Sequence, residues 1–282
     1  MADIAAAPRR RRRRPNLHLL VGGSLLGLFV ALAVLGPTLA PYDPMAQDLF
    51  ATMEPPTAAH WLGADQVGRD ILSRIMAGTR YTLSIALASV AAAALIGVAL
   101  GSIAGHFGGR VDRAVTGFVD LLLTIPNLVL AIAIASAVGS SPTGLTVAIA
   151  ASFVPSIARL VRSRVLELRE EDFVNAAVTI GMSPWRVLAR HVLPNAISVI
   201  VVETSLLAGQ AVLVGSALGF LGLGVQPPAP EWGAMLGASR EALEIAPHLV
   251  MAPGLAISLL VFAFNTFGDG LRDRFDPNMQ QR

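Results

Sequence analysis

The chain has 282 residues, of which 54% are apolar and only 14% charged, with a formal net charge of +2, and its mean hydropathy is +0.63. Soluble domains carry about 25% charged residues, so these figures exclude a disordered chain, a nucleic-acid-binding domain and an ordinary soluble enzyme. Cysteine and lysine are both absent, which removes disulfides, thiol nucleophiles, thiolate metal sites and any phosphate-binding loop built on Lys.

Residues 9–14 are six consecutive Arg, directly before an apolar run. Such a block anchors the inner end of a membrane helix, and residues 17–40 supply that helix. Thr38-Leu39-Ala40 has the small-x-small form of a leader cleavage site. The apolar run exceeds the ~7–15 residues of a leader's core, however, and Pro41 follows, so the segment reads as a retained span. Five further charge-poor stretches approach the ~20 residues that cross a bilayer: 81–105, 114–138, 143–160, 196–218 and 247–267. The third contains Asp120 and the fifth Glu203. The reading is an all-α integral membrane protein with six transmembrane helices.

The six spans place both termini on one side. Seventeen of the 21 Arg then share that side, leaving Arg69, Arg74, Arg80 and Arg240 on the other. Positive charge marks the cytoplasmic face, so the termini (1–16 and 269–282), the 106–113 turn and the 161–195 segment are expected inside the cell. The divisions are 17–40 for the first helix, 41–80 for an external segment, and 81–268 for a five-helix core carrying a cytoplasmic loop at 165–195.

Within the external segment, Ile71, Leu72, Ile75 and Met76 form one apolar face of a helix that Asp65 is placed to cap. The spacing predicts a helix lying at the interface and leading into the second span. Asp65, Arg69 and Asp70 fall on its polar side, either against a delivering protein or in solvent. Further on, Gly219, Gly222 and Gly224 with Pro227 and Pro228 predict an unwound exit from the fifth span. Irregular backbone near membrane depth lines a cavity or is enclosed by protein; the glycines suit either a translocation path or tight packing. Of the two intramembrane acids, Asp120 reads as paired with an Arg at the cytoplasmic edge, Arg113 or Arg159, and Glu203 either as paired in the same way or as facing a cavity. His18, His60, His106, His191 and His248 are scattered, so no metal site and no catalytic residue is assigned.

The cytoplasmic loop reads as a helical elbow. Phe173, Ala176, Ala177 and Ile180 form one apolar stripe. Gly181 supplies a left-handed cap, Met182 follows, Ser183 is an N-cap and Pro184 a first helical residue. Trp185, Leu188, Ala189 and Val192 form a second stripe, which Pro194 and Asn195 end before the fifth span. Small residues at the tip admit another surface closely.

The spacing Asn175-Ala176-Ala177, then Gly181, then His191-Val192-Leu193-Pro194 resembles the "EAA" loop of ABC-importer permeases, with Asn175 where the family's Glu stands. His60-Trp61-Leu62-Gly63-Ala64-Asp65-Gln66-Val67-Gly68-Arg69-Asp70-Ile71-Leu72-Ser73-Arg74 is similar to a second family signature. So are Phe220-Leu221-Gly222-Leu223-Gly224-Val225-Gln226-Pro227-Pro228 with Glu231-Trp232-Gly233, and Phe264-Asn265-Thr266-Phe267-Gly268-Asp269-Gly270-Leu271-Arg272-Asp273 with Asp276-Pro277. Gly215 stands where family members often carry an acid. The resemblance is to the second permease subunit of dipeptide, oligopeptide and nickel importers. It implies the type I permease fold, a heterodimer with a sister permease, two cytoplasmic subunits that bind Mg-ATP, an external solute-binding protein, and a pathway for peptides, glutathione-like solutes or nickel chelates. No cofactor in this chain and no nucleic-acid partner are expected. An energy-independent channel or a membrane scaffold is the alternative of another class.

Overall fold

The computed structural model describes residues 16–275; the Arg block, Asp276-Pro277 and Arg282 lie outside them. Among the described residues every regular element is helical. Five of these helical stretches are long and apolar enough to cross a membrane, or six where a pair bent by 93° counts as one span.

α1 (Leu17–Leu39) starts where the Asn16 side chain accepts the Leu19 N–H. It is bound to the bundle by close backbone approaches. A Cβ on Gly22 would lie 2.4 Å from the Phe267 nitrogen, and one on Gly36 would lie 2.4 Å from the Met76 oxygen. Small residues let membrane helices approach this closely, where dispersion rather than the hydrophobic effect drives association.

α2 (Ile71–Phe107) is one helix of 37 residues, roughly 55 Å at 1.5 Å per residue. The helix expected at the interface and the second span are therefore one continuous helix: nothing between Ile71 and Tyr81 interrupts the ladder. Asp70, not Asp65, is its N-cap, accepting the Ser73 N–H at 2.7 Å. Gly97, Gly101 and Gly105 recur every four residues and press against Ile157, Ala158 and Val165 of α5 (Pro142–Arg169). This α2–α5 contact is the centre of the bundle, and it encloses Phe153, Ile157 and Val161.

The expected third span is two helices, α3 (Gly109–Leu123) and α4 (Asn127–Val138), meeting at 93°. Pro126 is the cause. It lacks an N–H and pushes Ile125 out of helical backbone. The expected fourth span also extends past Leu160, because α5 continues to Arg169 and buries Val165 and Leu168.

α6 (Asp172–Thr179) and α7 (Pro184–Val187) form the elbow. The second arm does not stop at Pro194. A single π turn, Leu188–Val192, joins it to α8 (Leu193–Phe220), with the Leu193 N–H bonded to the Leu188 carbonyl five residues back. Widening the turn accommodates a proline that has no N–H and would strike the preceding turn. α9 (Trp232–Ser239) folds back beside α8, and α10 (His248–Phe275) closes the bundle.

Candidate functional site

The elbow tip is a complete C-terminal cap. Gly181 takes φ +84°, its N–H bonds to the Val178 carbonyl at 2.9 Å, and the Met182 N–H reaches Ala177 at 3.2 Å. These two bonds are the Schellman pattern, and the left-handed residue between them favours glycine. Ser183 occupies the N-cap position through its carbonyl, which accepts the Arg186 and Val187 N–H groups; its side chain makes no capping bond.

The two apolar stripes are corrected. The elbow buries Val174 and Ala177 on α6 and Val187, Leu188 and Val192 on the second arm, joined to the same core as Val165 and Leu168. Phe173, Ala176, Trp185 and Ala189 face outward instead. Ile180 is 78% exposed and Val178 is exposed beside it. Periodicity alone marks an apolar face but not which face joins the core. The Trp185 ring packs at a tilt against Phe107, centroids 4.7 Å apart, tying the second arm to the C-terminal end of α2. Asn175 donates to the Glu170 carbonyl across the α5–α6 corner at 3.3 Å, and Asn195 donates to that of His191. His191 and Leu193 are half-buried and Pro194 is exposed.

On the opposite end, Asp65, Arg69 and Asp70 are engaged within the chain. Asp65 accepts the N–H groups of Val67 and Arg69 and the Arg69 Nε at 2.7 Å, while the Arg74 Nε lies 3.4 Å away. Asp70 is 3% exposed; it accepts the Ser73 hydroxyl at 2.6 Å and faces His60 Nδ1 at 2.9 Å. The polar face expected to be solvated or shared with a delivering protein is an internal brace for the 41–70 segment. Gly68 is its tightest point, with φ +75° and the Asp48 carbonyl where a side chain would stand. This end also presents large apolar side chains outward, Leu49, Phe50, Trp61 and Ile245, among exposed polar ones such as Asp43, Asp48, Glu241 and Glu244.

Gly219, Gly222 and Gly224 have distinct roles. Gly219 meets Glu231 and Gly224 meets the Gly219 backbone, while Gly222 makes the turn with φ +77° in open space. Glu231, 2% exposed, caps α9 by accepting the Gly233 and Ala234 N–H groups at 2.9 and 2.8 Å. Burial pushes its carboxyl above the usual range, against the pull of those two bonds and of the Thr82 hydroxyl. Trp232 is fully enclosed, donates to the Ile75 carbonyl at 3.1 Å and meets Phe29 edge-on. Glu231-Trp232-Gly233 therefore seats α9 between α2 and α8, a role its sequence did not reveal.

Asp120 pairs with Arg159 as expected, although the pair is half-exposed rather than buried. A second pair, Asp112 with Arg162, has two bonds, the longer at 2.7 Å, and is more enclosed. Both pairs tie α3 to α5 beside a cavity of about 370 Å³ that also touches Gly101, Thr116 and Ser163. Glu203 is half-buried on α8. No group of three or more potential metal ligands occurs among the described residues.

Residues 97–281 match the family described as binding-protein-dependent transport system inner membrane component. The chain belongs to this family. Residues 11–56 match the N-terminal transmembrane domain of oligopeptide transport permease C. A glutathione transport system permease of Pectobacterium atrosepticum is 42% identical over 95% of this chain and 90% of its own. A dipeptide transport system permease of Alkalihalophilus pseudofirmus is 41% identical over 96% and 89%. A probable D,D-dipeptide permease of Escherichia coli K12 is 41% identical over 90% and 85%. The inward-facing MetNI methionine ABC transporter shares the fold, with TM-score 0.58 at 18% identity, covering 72% of this chain and 96% of that one. As a binding-protein-dependent permease, the chain is a multi-pass inner-membrane component of a transporter and not an enzyme.

Proposed function

We propose that this permease forms half of the translocation pathway of an ATP-driven importer for short peptides, glutathione-like peptides included. The names of the relatives at 41–42% identity support that cargo class. A sister permease supplies the other half, an external solute-binding protein delivers the cargo, and two cytoplasmic subunits bind and hydrolyse Mg-ATP. Both termini and the elbow face the cytoplasm, in keeping with the Arg asymmetry.

The observation that carries the reading is the continuity of the elbow. α6 is capped rigidly at Gly181, and the second arm runs through the π turn into α8 without a break. A push on the tip at Asn175, Ala176, Gly181 and Met182 therefore reaches α8 and, through the packed face of α6, α5. ATP shifts the balance of inward- and outward-facing states to the extent that it binds one of them better, and the elbow is the lever by which that preference reaches the spans.

Gly181→Glu tests this. Nothing lies within 4 Å of a Cβ at Gly181, so the bundle accommodates the side chain at the modest strain of a left-handed non-glycine residue. Expected are normal amounts of the variant in the membrane, with uptake abolished. Normal uptake would remove the elbow as the coupling element. Asp65, Arg69 and Asp70 act here as the brace of the external face on which the binding protein docks, and Glu203 lines the pathway.

A further inference from the structure

α8 carries two long polar side chains that the rest of the subunit does not use. Glu203 is half-buried and Gln210 exposed, and among the described residues neither has a hydrogen-bond or ion-pair partner. The other polar side chains around Glu203 behave differently: Thr204 and Ser205 return their hydroxyls to the helix's own carbonyls. Seven residues separate Glu203 from Gln210, two turns less about 20°, so they stand on one face roughly 10 Å apart along the axis.

That face is the outward one. Leu213 on it is half-exposed, while Leu207, Ala208, Ala211 and Val212 turn inward. A carboxylate on an outward apolar face of a membrane helix cannot be left in lipid. Intramembrane acids face a bundle interior or a water-filled cavity and mark the path of a solute or ion. Its charge selects a cation, and an amide seven residues on offers both a donor and an acceptor. An extended peptide advances at most ~3.3–3.6 Å per residue, so ~10 Å is the length of about three residues.

We infer that Glu203 and Gln210 form a recognition track for the cargo, Glu203 taking the free α-ammonium and Gln210 a backbone amide two to three residues along. This rests on the peptide-importer reading above. With α8 entering the membrane from the elbow, the cargo's amino end then points toward the cytoplasm. The pairing selects short peptides with an unblocked amino terminus.

The experiment uses the complete transporter in proteoliposomes, supplied in turn with a free dipeptide, a free tripeptide and their N-acetylated forms at saturating binding protein. Glu203→Gln is expected to lower import of the free forms by about tenfold or more, the size of one charge-assisted hydrogen bond, and to leave the acetylated forms unchanged. Gln210→Ala is expected to slow the tripeptide more than the dipeptide. Because the chain has no cysteine, Glu203→Cys and Gln210→Cys also report water access; both are expected to react with a charged thiol reagent, and Val34→Cys on α1 is not. An unchanged ratio of free to acetylated import in Glu203→Gln overturns the track while leaving the importer intact. Loss of subunit assembly in Glu203→Gln, the mark of a structural pair with the sister permease, overturns it too. Failure of the unaltered transporter to import any peptide overturns the cargo reading and the track with it.

Discussion

Gly219 leaves the space that Glu231 fills: a Cβ on Gly219 would stand 2.5 Å from the Glu231 Oε2 and 3.0 Å from the Ala234 nitrogen. The carboxylate cannot swing aside, because the Gly233 and Ala234 N–H groups hold both of its oxygens. Gly219→Ala is therefore expected to destabilise the bundle by about 1–3 kcal/mol, the range of overpacking in a filled site. Gly254 on α10, with nothing within 4 Å of its Cβ position, provides the control. Thermal unfolding in detergent is expected to show a lower midpoint for Gly219→Ala and none for Gly254→Ala; equal midpoints would refute the contact.

The same carboxyl gives a pH dependence whose sign is fixed. Burial raises Glu231 above its ordinary value of 4.5, so the fold favours the protonated form. Stability from this group is then complete below the unfolded-state value and is lost as pH rises through the raised folded value. Glu231→Gln cannot titrate. As pH rises above the ordinary value of 4.5, the unaltered chain is expected to lose thermal stability relative to Glu231→Gln. A gain with rising pH would reverse the assignment of burial as the dominant influence.

The two ion pairs between α3 and α5 are not equivalent. Asp112–Arg162 is bidentate, with side chains 19% and 31% exposed, whereas Asp120 and Arg159 are 51% and 59% exposed. Exposed pairs contribute little because solvent screens them and two long side chains must be ordered. A double-mutant cycle is expected to give a coupling of about 1 kcal/mol for Asp112–Arg162 and below about 0.5 kcal/mol for Asp120–Arg159. Arg162→Lys is expected to retain little of the first coupling, since an ammonium cannot make the two parallel bonds. Equal couplings would mean that the fork geometry is not what binds α3.

Much of this architecture was legible in the chain because the signals are local. Charge-free runs located the spans, and Gly181 ahead of Ser183-Pro184 located the elbow's break. Where the sequence reading went astray, a neighbouring element decides the outcome. Pro126 sits inside a charge-poor run that looks like one span, yet its missing N–H permits a 93° corner. Pro194 has the local signal of a helix stop, yet a π turn carries the helix past it. Gly97, Gly101 and Gly105 carried a readable spacing whose partner, α5, was not. The elbow stripes differ for the same reason: Val174 and Ala177 are the face that joins the core, and Phe173 and Ile180 are equally apolar.

Ile180 turns that difference into a test. An apolar residue 78% exposed at the tip of the elbow contributes almost nothing to this chain's own folding, since little of it leaves water. Trp185 differs, because its ring also packs on Phe107. If the elbow docks into the ATP-binding subunits, Ile180→Ser is expected to leave the melting midpoint unchanged while lowering co-purification of those subunits and peptide uptake by roughly tenfold, as for a central contact in an interface. Trp185→Ser is expected to lower the midpoint as well as the association. The contrast separates docking from folding within one loop. Should Ile180→Ser retain full uptake and full co-purification, the exposed apolar tip is not where the motor binds, and the lever must be sought elsewhere on the inner face.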